Sequence, residues 1–129
     1  MKRFFLTLIA AAGLAGAAHA ADPIEGVWQT EPDDGSFAYV TIAPCGGNYC
    51  GTISRTFNAS GEYESPNKGK QIVRNMAAQG DGAYEGRVWR PSNDKVYLGK
   101  IQLNGNQMAL RGCVAGGLFC ARQNWVKVQ

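Results

Sequence analysis

The stretch 95-KVYLGKIQLNGNQMALRGCV-114 decides the fold class. Asn104-Gly105 is the strongest short signal for a β-hairpin, because a two-residue type I′ turn needs positive φ at both central positions. On one side of it Tyr97, Gly99, Ile101 and Leu103 share a face. On the other, Met108, Leu110, Gly112 and Val114 do the same, as a period of two requires. Two antiparallel strands with one buried face follow.

The same pattern recurs outward in both directions. Upstream, Pro91-Ser92-Asn93-Asp94 turns the chain out of a strand over Ala83–Trp89, and Gly80-Asp81-Gly82 separates that strand from one over Gln71–Ala77. The polar segment Asn58–Lys70, with Gly61, Pro66 and Gly69, reads as the longest loop. Before it lie strands over Glu25–Thr30, Phe37–Ile42 and Gly51–Phe57, divided by Pro32-Asp33-Asp34-Gly35 and by Pro44-Cys45-Gly46-Gly47-Asn48-Tyr49-Cys50. A last strand over Ala121–Val128 makes eight, and no segment carries helical periodicity. Turn signals at such short intervals mark an all-β protein. Eight strands must hide two sheet edges, and closure into a ring removes them outright. The expected architecture is therefore a small eight-stranded antiparallel up-and-down barrel, with a two-sheet sandwich as its competitor. A barrel of this size has an interior that side chains fill or that holds one small ligand.

Met1–Ala20 reads as a secretory signal peptide. Lys2 and Arg3 give it a positive start, Phe4–Ala18 is mostly apolar, and Ala18-His19-Ala20 has the small-x-small form of a cleavage site. It is too short and too rich in alanine and glycine for a spanning helix, and no cysteine follows the cut to carry a lipid anchor. Periplasmic or secreted residence is expected, with 21–129 as a single domain. Cleavage takes 20 of the 129 residues and leaves 109. Removing Lys2 and Arg3 lowers the 13 basic residues to 11 against 10 acidic ones, for a net charge of +1. The linear sequence displays no basic stripe, so nucleic acid is not an expected partner.

His19 is the only histidine, so the mature chain lacks an imidazole for general-base or metal chemistry. Asp33/Asp34 and Glu62/Glu64 fall in turns, and nothing sets two carboxylates across a cleft at the 5 to 10 Å or so that glycoside chemistry needs. The chain is expected not to be an enzyme, with no metal and no cofactor. The four cysteines, Cys45, Cys50, Cys113 and Cys120, allow three connectivities. The local pairs Cys45–Cys50 and Cys113–Cys120 are favoured, because each brackets a glycine-rich reversal between strands that bring side chains within bonding reach. A four-cysteine zinc site is disfavoured by spacing and by an oxidising compartment. Arg55 alternates with Ile53 and Phe57, and Arg74 with Ile72 and Met76. Both are thereby expected on the inner face, where a guanidinium could take a carboxylate head group in a bidentate grip, aided by the hydroxyls of Tyr84 and Tyr97. The competing reading sets both arginines at the rims, with packed stems and solvated heads.

Gly26-x-Trp28 in the first strand, with a basic residue in the last, is similar to the signature of the calycin (lipocalin-like) barrels, in which a cation stacks over the tryptophan and closes one end. Arg122 is the first choice for that cation and Lys127 the second. Beyond this, Ser65–Val128, with SPNKGKQIV, GRVWRPSNDKVYLGKIQL and LRGCVAGGLFCARQNWVKV, together with GVWQTE and CGGNYCG, resembles the secreted bacterial family known as domain of unknown function 2147. The resemblance implies a signal-bearing, lipocalin-like β-barrel with locally paired cysteines, and no reaction. Two functions follow as expectations. One is a small-molecule binding module for an amphipathic or lipid-like ligand. The other is a ligand-free protein–protein interaction module or inhibitor of the cell envelope, using the Asn58–Lys70 loop with Tyr63, Pro66 and Lys68.

Overall fold

The computed structural model describes residues 21–129. The signal-peptide reading of Met1–Ala20, His19 included, lies outside the described residues. Nine strands form: β1 (Gly26–Gln29), β2 (Phe37–Cys45), β3 (Asn48–Asn58), β4 (Gly61–Tyr63), β5 (Gln71–Gly80), β6 (Ala83–Arg90), β7 (Lys95–Asn104), β8 (Gln107–Val114) and β9 (Phe119–Lys127), with one 3-10 turn, Ala115–Gly117, before β9. All pairings are antiparallel. Pairing runs β2-β1-β9-β8-β7-β6-β5-β3, and β2 also pairs with β3. The eight-stranded ring is thus closed, as the sequence leads one to expect, and the sandwich alternative is excluded. Among the described residues no helix is long and apolar enough to cross a membrane.

The ninth strand corrects the loop reading of Asn58–Lys70. Gly61, at φ 110°, reverses the chain so that β4 pairs with the end of β3. β4 is a flap on the ring, not part of it. The Asn104-Gly105 hairpin forms with Asn104 opposite Gln107, and Leu98 through Leu103 pair with β8 in the register the alternation implies. Both disulfides are local, Cys45–Cys50 and Cys113–Cys120, with Cα separations of 5.8 and 4.1 Å.

The interior is asymmetric. Ile24, Trp28, Met76, Met108 and Trp125 are almost wholly inaccessible and fill one end together with Ile42. The other end carries the β1–β2, β4–β5, β6–β7 and β8–β9 connections and is open. Two strands do not keep a simple period of two. The β2–β3 register shifts between Tyr39 and Val40, so that Arg55 faces Tyr39 while Ile53 faces Val40. In β5, shifts against β3 fall around Val73, and against β6 between Arg74 and Ala77, where Asn75 adopts φ 54°. Each bulge inserts a residue and resets which face the following side chains occupy.

Gly86 is the residue that makes room for the second β5 bulge. A Cβ there would sit 2.7 Å from the carbonyl oxygens of both Arg74 and Asn75, and backbone cannot yield as a side chain can. Gly86→Ala is expected to destabilise the barrel by about 2–3 kcal/mol in urea denaturation, as overpacking does. Gly105→Ala, in open space at φ 63°, should cost only about 1 kcal/mol from the left-handed backbone.

Candidate functional site

The closed end explains the Gly-x-Trp motif physically. Trp28 is fully buried, its indole N–H donates to the Ile24 carbonyl at 2.9 Å, and it lies opposite Lys127 across the β1–β9 pairing. The Lys127 ammonium sits 5.6 Å from the ring centroid and donates to the Pro23 carbonyl at 3.2 Å, a cation–π cover over the plug. Gly26 is required because a Cβ would meet Lys127 Cε at 2.6 Å and the Gln129 carbonyl at 2.5 Å. The expectation that Arg122 supplies this cation is corrected. Arg122 lies opposite Arg111 and donates to Asn124 Oδ1 at 3.1 Å. It precedes Lys127 by five residues, about 17 Å along a strand from the indole.

Tyr84 also belongs to the closed end. It is buried, its hydroxyl donates to the Asp22 carboxylate, and its ring meets Tyr49 edge-on at 6.0 Å. Burial, and then the neighbouring Asp22 carboxylate, push the Tyr84 hydroxyl well above the ordinary phenol range. For Asp22 burial acts upward, but hydrogen bonds from the Ile24 N–H, Tyr84 and Tyr49 outweigh it and hold the carboxyl below its usual value. These groups seal the barrel.

At the open end lies a cavity of about 440 Å³. Its floor and walls are apolar, from Ile53, Ile72, Val88, Leu110 and Trp125, and its mouth is polar, with Thr30, Ser36, Thr56, Asn67 and Gln123. Tyr97 lines it as expected, with its hydroxyl accepting from Asn93 Nδ2 at 2.7 Å. Of the four residues proposed from the sequence to meet a ligand, this one reaches the cavity.

Arg55 and Arg74 do not, and their placement on the inner face is corrected. The β3 bulge turns Arg55 outward, where it grips Glu62 in a bidentate pair at 2.9 and 2.6 Å and lies 5.4 Å from the Tyr39 and Phe57 ring centroids. Arg74, between the two β5 shifts, donates to the Gln71 carbonyl at 3.0 Å and rests 5.8 Å from the Trp89 centroid on the outer surface. The alternation argument failed at both because neither bulge is written in the hydrophobic pattern.

One mouth feature escaped the sequence reading. Arg90, at the end of β6, donates from Nε and Nη2 to both Asp33 oxygens at 2.9 Å, and Ser92 adds a third contact at 3.3 Å. The β1–β2 turn is thereby strapped to the β6–β7 turn over the cavity rim. Opposite, Glu31 accepts the Asn124 N–H at 2.8 Å. Asp33 and Arg90 are far apart in sequence, and only their shared position in turns at one barrel end hinted at the pairing. The Arg90 hydrogen bonds hold the Asp33 carboxyl below the usual range, so the strap stabilises the fold above the unfolded carboxyl value near pH 4. That contribution is lost as pH falls through the lower folded value. Asp33→Asn is expected to melt below the wild type at pH 7, with the difference closing towards pH 2. A Tm gap independent of pH would refute the assignment.

Comparison with known proteins accords with this geometry. The family described as "Uncharacterized protein conserved in bacteria (DUF2147)" matches residues 26–127, a span that takes in all nine strands. No curated protein sequence matches significantly. Among solved structures, the chain is similar to one described as "Protein HP1028 from the human pathogen Helicobacter pylori belongs to the lipocalin family". The TM-score is 0.63 at 14% identity, covering 82% of this chain and 83% of that one. At such identity the likeness is one of fold.

Proposed function

Because the chain belongs to the bacterial DUF2147 family and folds as a lipocalin-like barrel, we propose that it is a binding module for a small amphipathic molecule, acting in the periplasm or as a secreted protein. The observation that carries this reading is the open cavity of about 440 Å³, within the roughly 300–1,000 Å³ typical of small-molecule sites. An apolar floor under a hydrogen-bonding rim suits a ligand with an apolar body and a polar head. Arg90 is committed to Asp33 and Thr56 to Tyr63 and Ser65, so the head is held by groups such as the Tyr97 hydroxyl and the Asn67 carboxamide. The two disulfides favour an oxidising compartment, in keeping with export.

Binding is favoured over catalysis by what the cavity offers. Residues 21–129 contain no histidine, and the two acidic residues at its rim are already engaged, Asp33 by Arg90 and Glu31 by a backbone N–H. The ligand-free interaction module receives less support, since it would be served by a filled interior. In addition, much of its supposed contact loop is held down by β4 pairing, by the Thr56 hydroxyl donating to the Tyr63 carbonyl and by a Lys68–Glu64 ion pair.

Trp125 lines the cavity and serves as an energy-transfer donor to a dansyl-labelled medium-chain fatty acid. Saturable binding is expected. Ala38→Trp, which places an indole in the mouth from a lining position, should weaken it about tenfold or more, on the order of 1.4 kcal/mol. Arg55→Ala and Arg74→Ala, on the outer surface, should leave it unchanged. Binding indifferent to Ala38→Trp would overturn the proposed site.

A further inference from the structure

The barrel exterior carries a charge arrangement that internal stability does not call for. Across β7, β8 and β9 the register sets Lys100 directly opposite Arg111, and Arg111 directly opposite Arg122. Ile101 and Leu110, next to Lys100 and Arg111, and Trp125, three residues on from Arg122, are buried in the core, so alternation sets the three cations on the outer face, with Arg122 also reaching the cavity rim. Directly opposed side chains in a sheet stand about 5 Å apart, and like charges there are destabilising. The ion pairs among the described residues are Arg55–Glu62, Lys68–Glu64 and Arg90–Asp33, and none of them relieves this row. On its other side Lys100 lies opposite Glu85 of β6, which leaves Arg111 and Arg122 as the uncompensated part of the row, while Arg74 opposite Arg87 forms a separate cationic pair on β5 and β6.

Two further features adjoin the row. At its upper end the β8–β9 connection presents Val114, Leu118 and Phe119 at 49%, 74% and 65% exposure. This apolar tip is pinned by Cys113–Cys120, and Gly117 in it packs beside the Lys100 side chain. At the lower end a depression of about 190 Å³ brings the carboxamides of Gln102, Asn104, Gln107 and Asn124 beside Arg122, a set of donors suited to phosphate oxygens.

From this juxtaposition we propose that the β7–β9 face docks on an anionic phospholipid surface. The Leu118–Phe119 tip enters the interfacial region, and Lys100, Arg111 and Arg122 lie against the lipid phosphates. Charge complementarity chooses the occupant: an anionic bilayer supplies both a negative field for Arg111 and Arg122, whose registered partners are themselves cations, and an apolar layer for the tip. A second copy of this chain would bring the same positive row against itself. The inference goes beyond the ligand reading and does not depend on it, although the tip lies at the cavity mouth and docking would turn that mouth towards the membrane.

The test is co-sedimentation of protein produced from the full chain, recovered with both disulfides formed, with vesicles of phosphatidylglycerol and phosphatidylcholine or of phosphatidylcholine alone. Binding is expected to the anionic vesicles only, and to weaken with added salt. Arg111→Glu should weaken it about tenfold or more, since a basic residue near such a surface contributes about a factor of five and reversal removes two charges. Leu118→Ser should weaken it without altering the salt dependence. Lys68→Glu, the same charge change on the β4–β5 connection, should leave binding within about twofold. Equal binding to both vesicle types, equal loss from Arg111→Glu and Lys68→Glu, or no binding at all would overturn the proposal. A solution dimer broken by Leu118→Ser would also overturn it and assign the tip to a second copy.

Discussion

Every other feature of this molecule depends on a ring being closed through its shortest member. β1 aligns with β9 over two residue pairs, Trp28 with Lys127 and Gln29 with Val126, whereas β6–β7 and β8–β9 each align eight. Ladder hydrogen bonds alone would leave that seam weak. It is reinforced by the Val27 N–H donating to the Gln129 carbonyl, the Val128 N–H donating to the Val27 carbonyl and the Glu31 carboxylate taking the Asn124 N–H. The buried indole of Trp28 beneath Lys127 adds side-chain packing and a cation–π contact to the same seam. The Gly-x-Trp motif and its basic partner thus act as the clasp of the barrel, and the closed end is closed because the clasp occupies it.

The consequence for the interior is a division of labour between two ends. Bulky residues, two tryptophans and two methionines among them, fill the lower half, and Tyr84 with Asp22 seals it. Volume unavailable there remains free above, where Gly112, Ala38 and Thr30 line the cavity in place of larger side chains. Rim polarity then follows from where the turns fall. Asp, Ser, Asn and Arg residues chosen for tight reversals become the mouth of the cup.

Fold and disulfides were legible in the sequence because both rest on local signals. Asn104-Gly105 fixes a hairpin, each cysteine pair brackets a glycine-rich reversal, and β6, β7 and β8 pair without a register shift. The candidate site was legible only in part, because a site depends on which way side chains point after a register shift. Ile53-Ser54-Arg55 reads as alternation, yet the bulge opposite Tyr39 and Val40 sends Arg55 outside. Arg74 is misread for the same reason, with Asn75 in a left-handed conformation just beyond it. Arg122 and Lys127 both satisfy the motif in the linear chain, and the β1–β9 register, which sets Lys127 opposite Trp28, decides the matter by position. The cationic row is invisible in the linear chain for a parallel reason. Lys100, Arg111 and Arg122 are each isolated among neutral residues in sequence, and only pairing assembles them.

The β1–β9 clasp also imposes an order on biosynthesis. Nearly all other pairings join strands that follow one another along the chain, so hairpins form as soon as they emerge. β1 emerges first, and its outer partner is the last strand of the ring. Until Trp125 and Lys127 arrive, Trp28 has no lid, the core lacks one wall, and the outer edge of β1 is open to any extended segment nearby. Before the last strand pairs, the ring is an open sheet with Trp28 uncovered. Completion of the final strand, more than any local folding event, separates that vulnerable state from the sealed one.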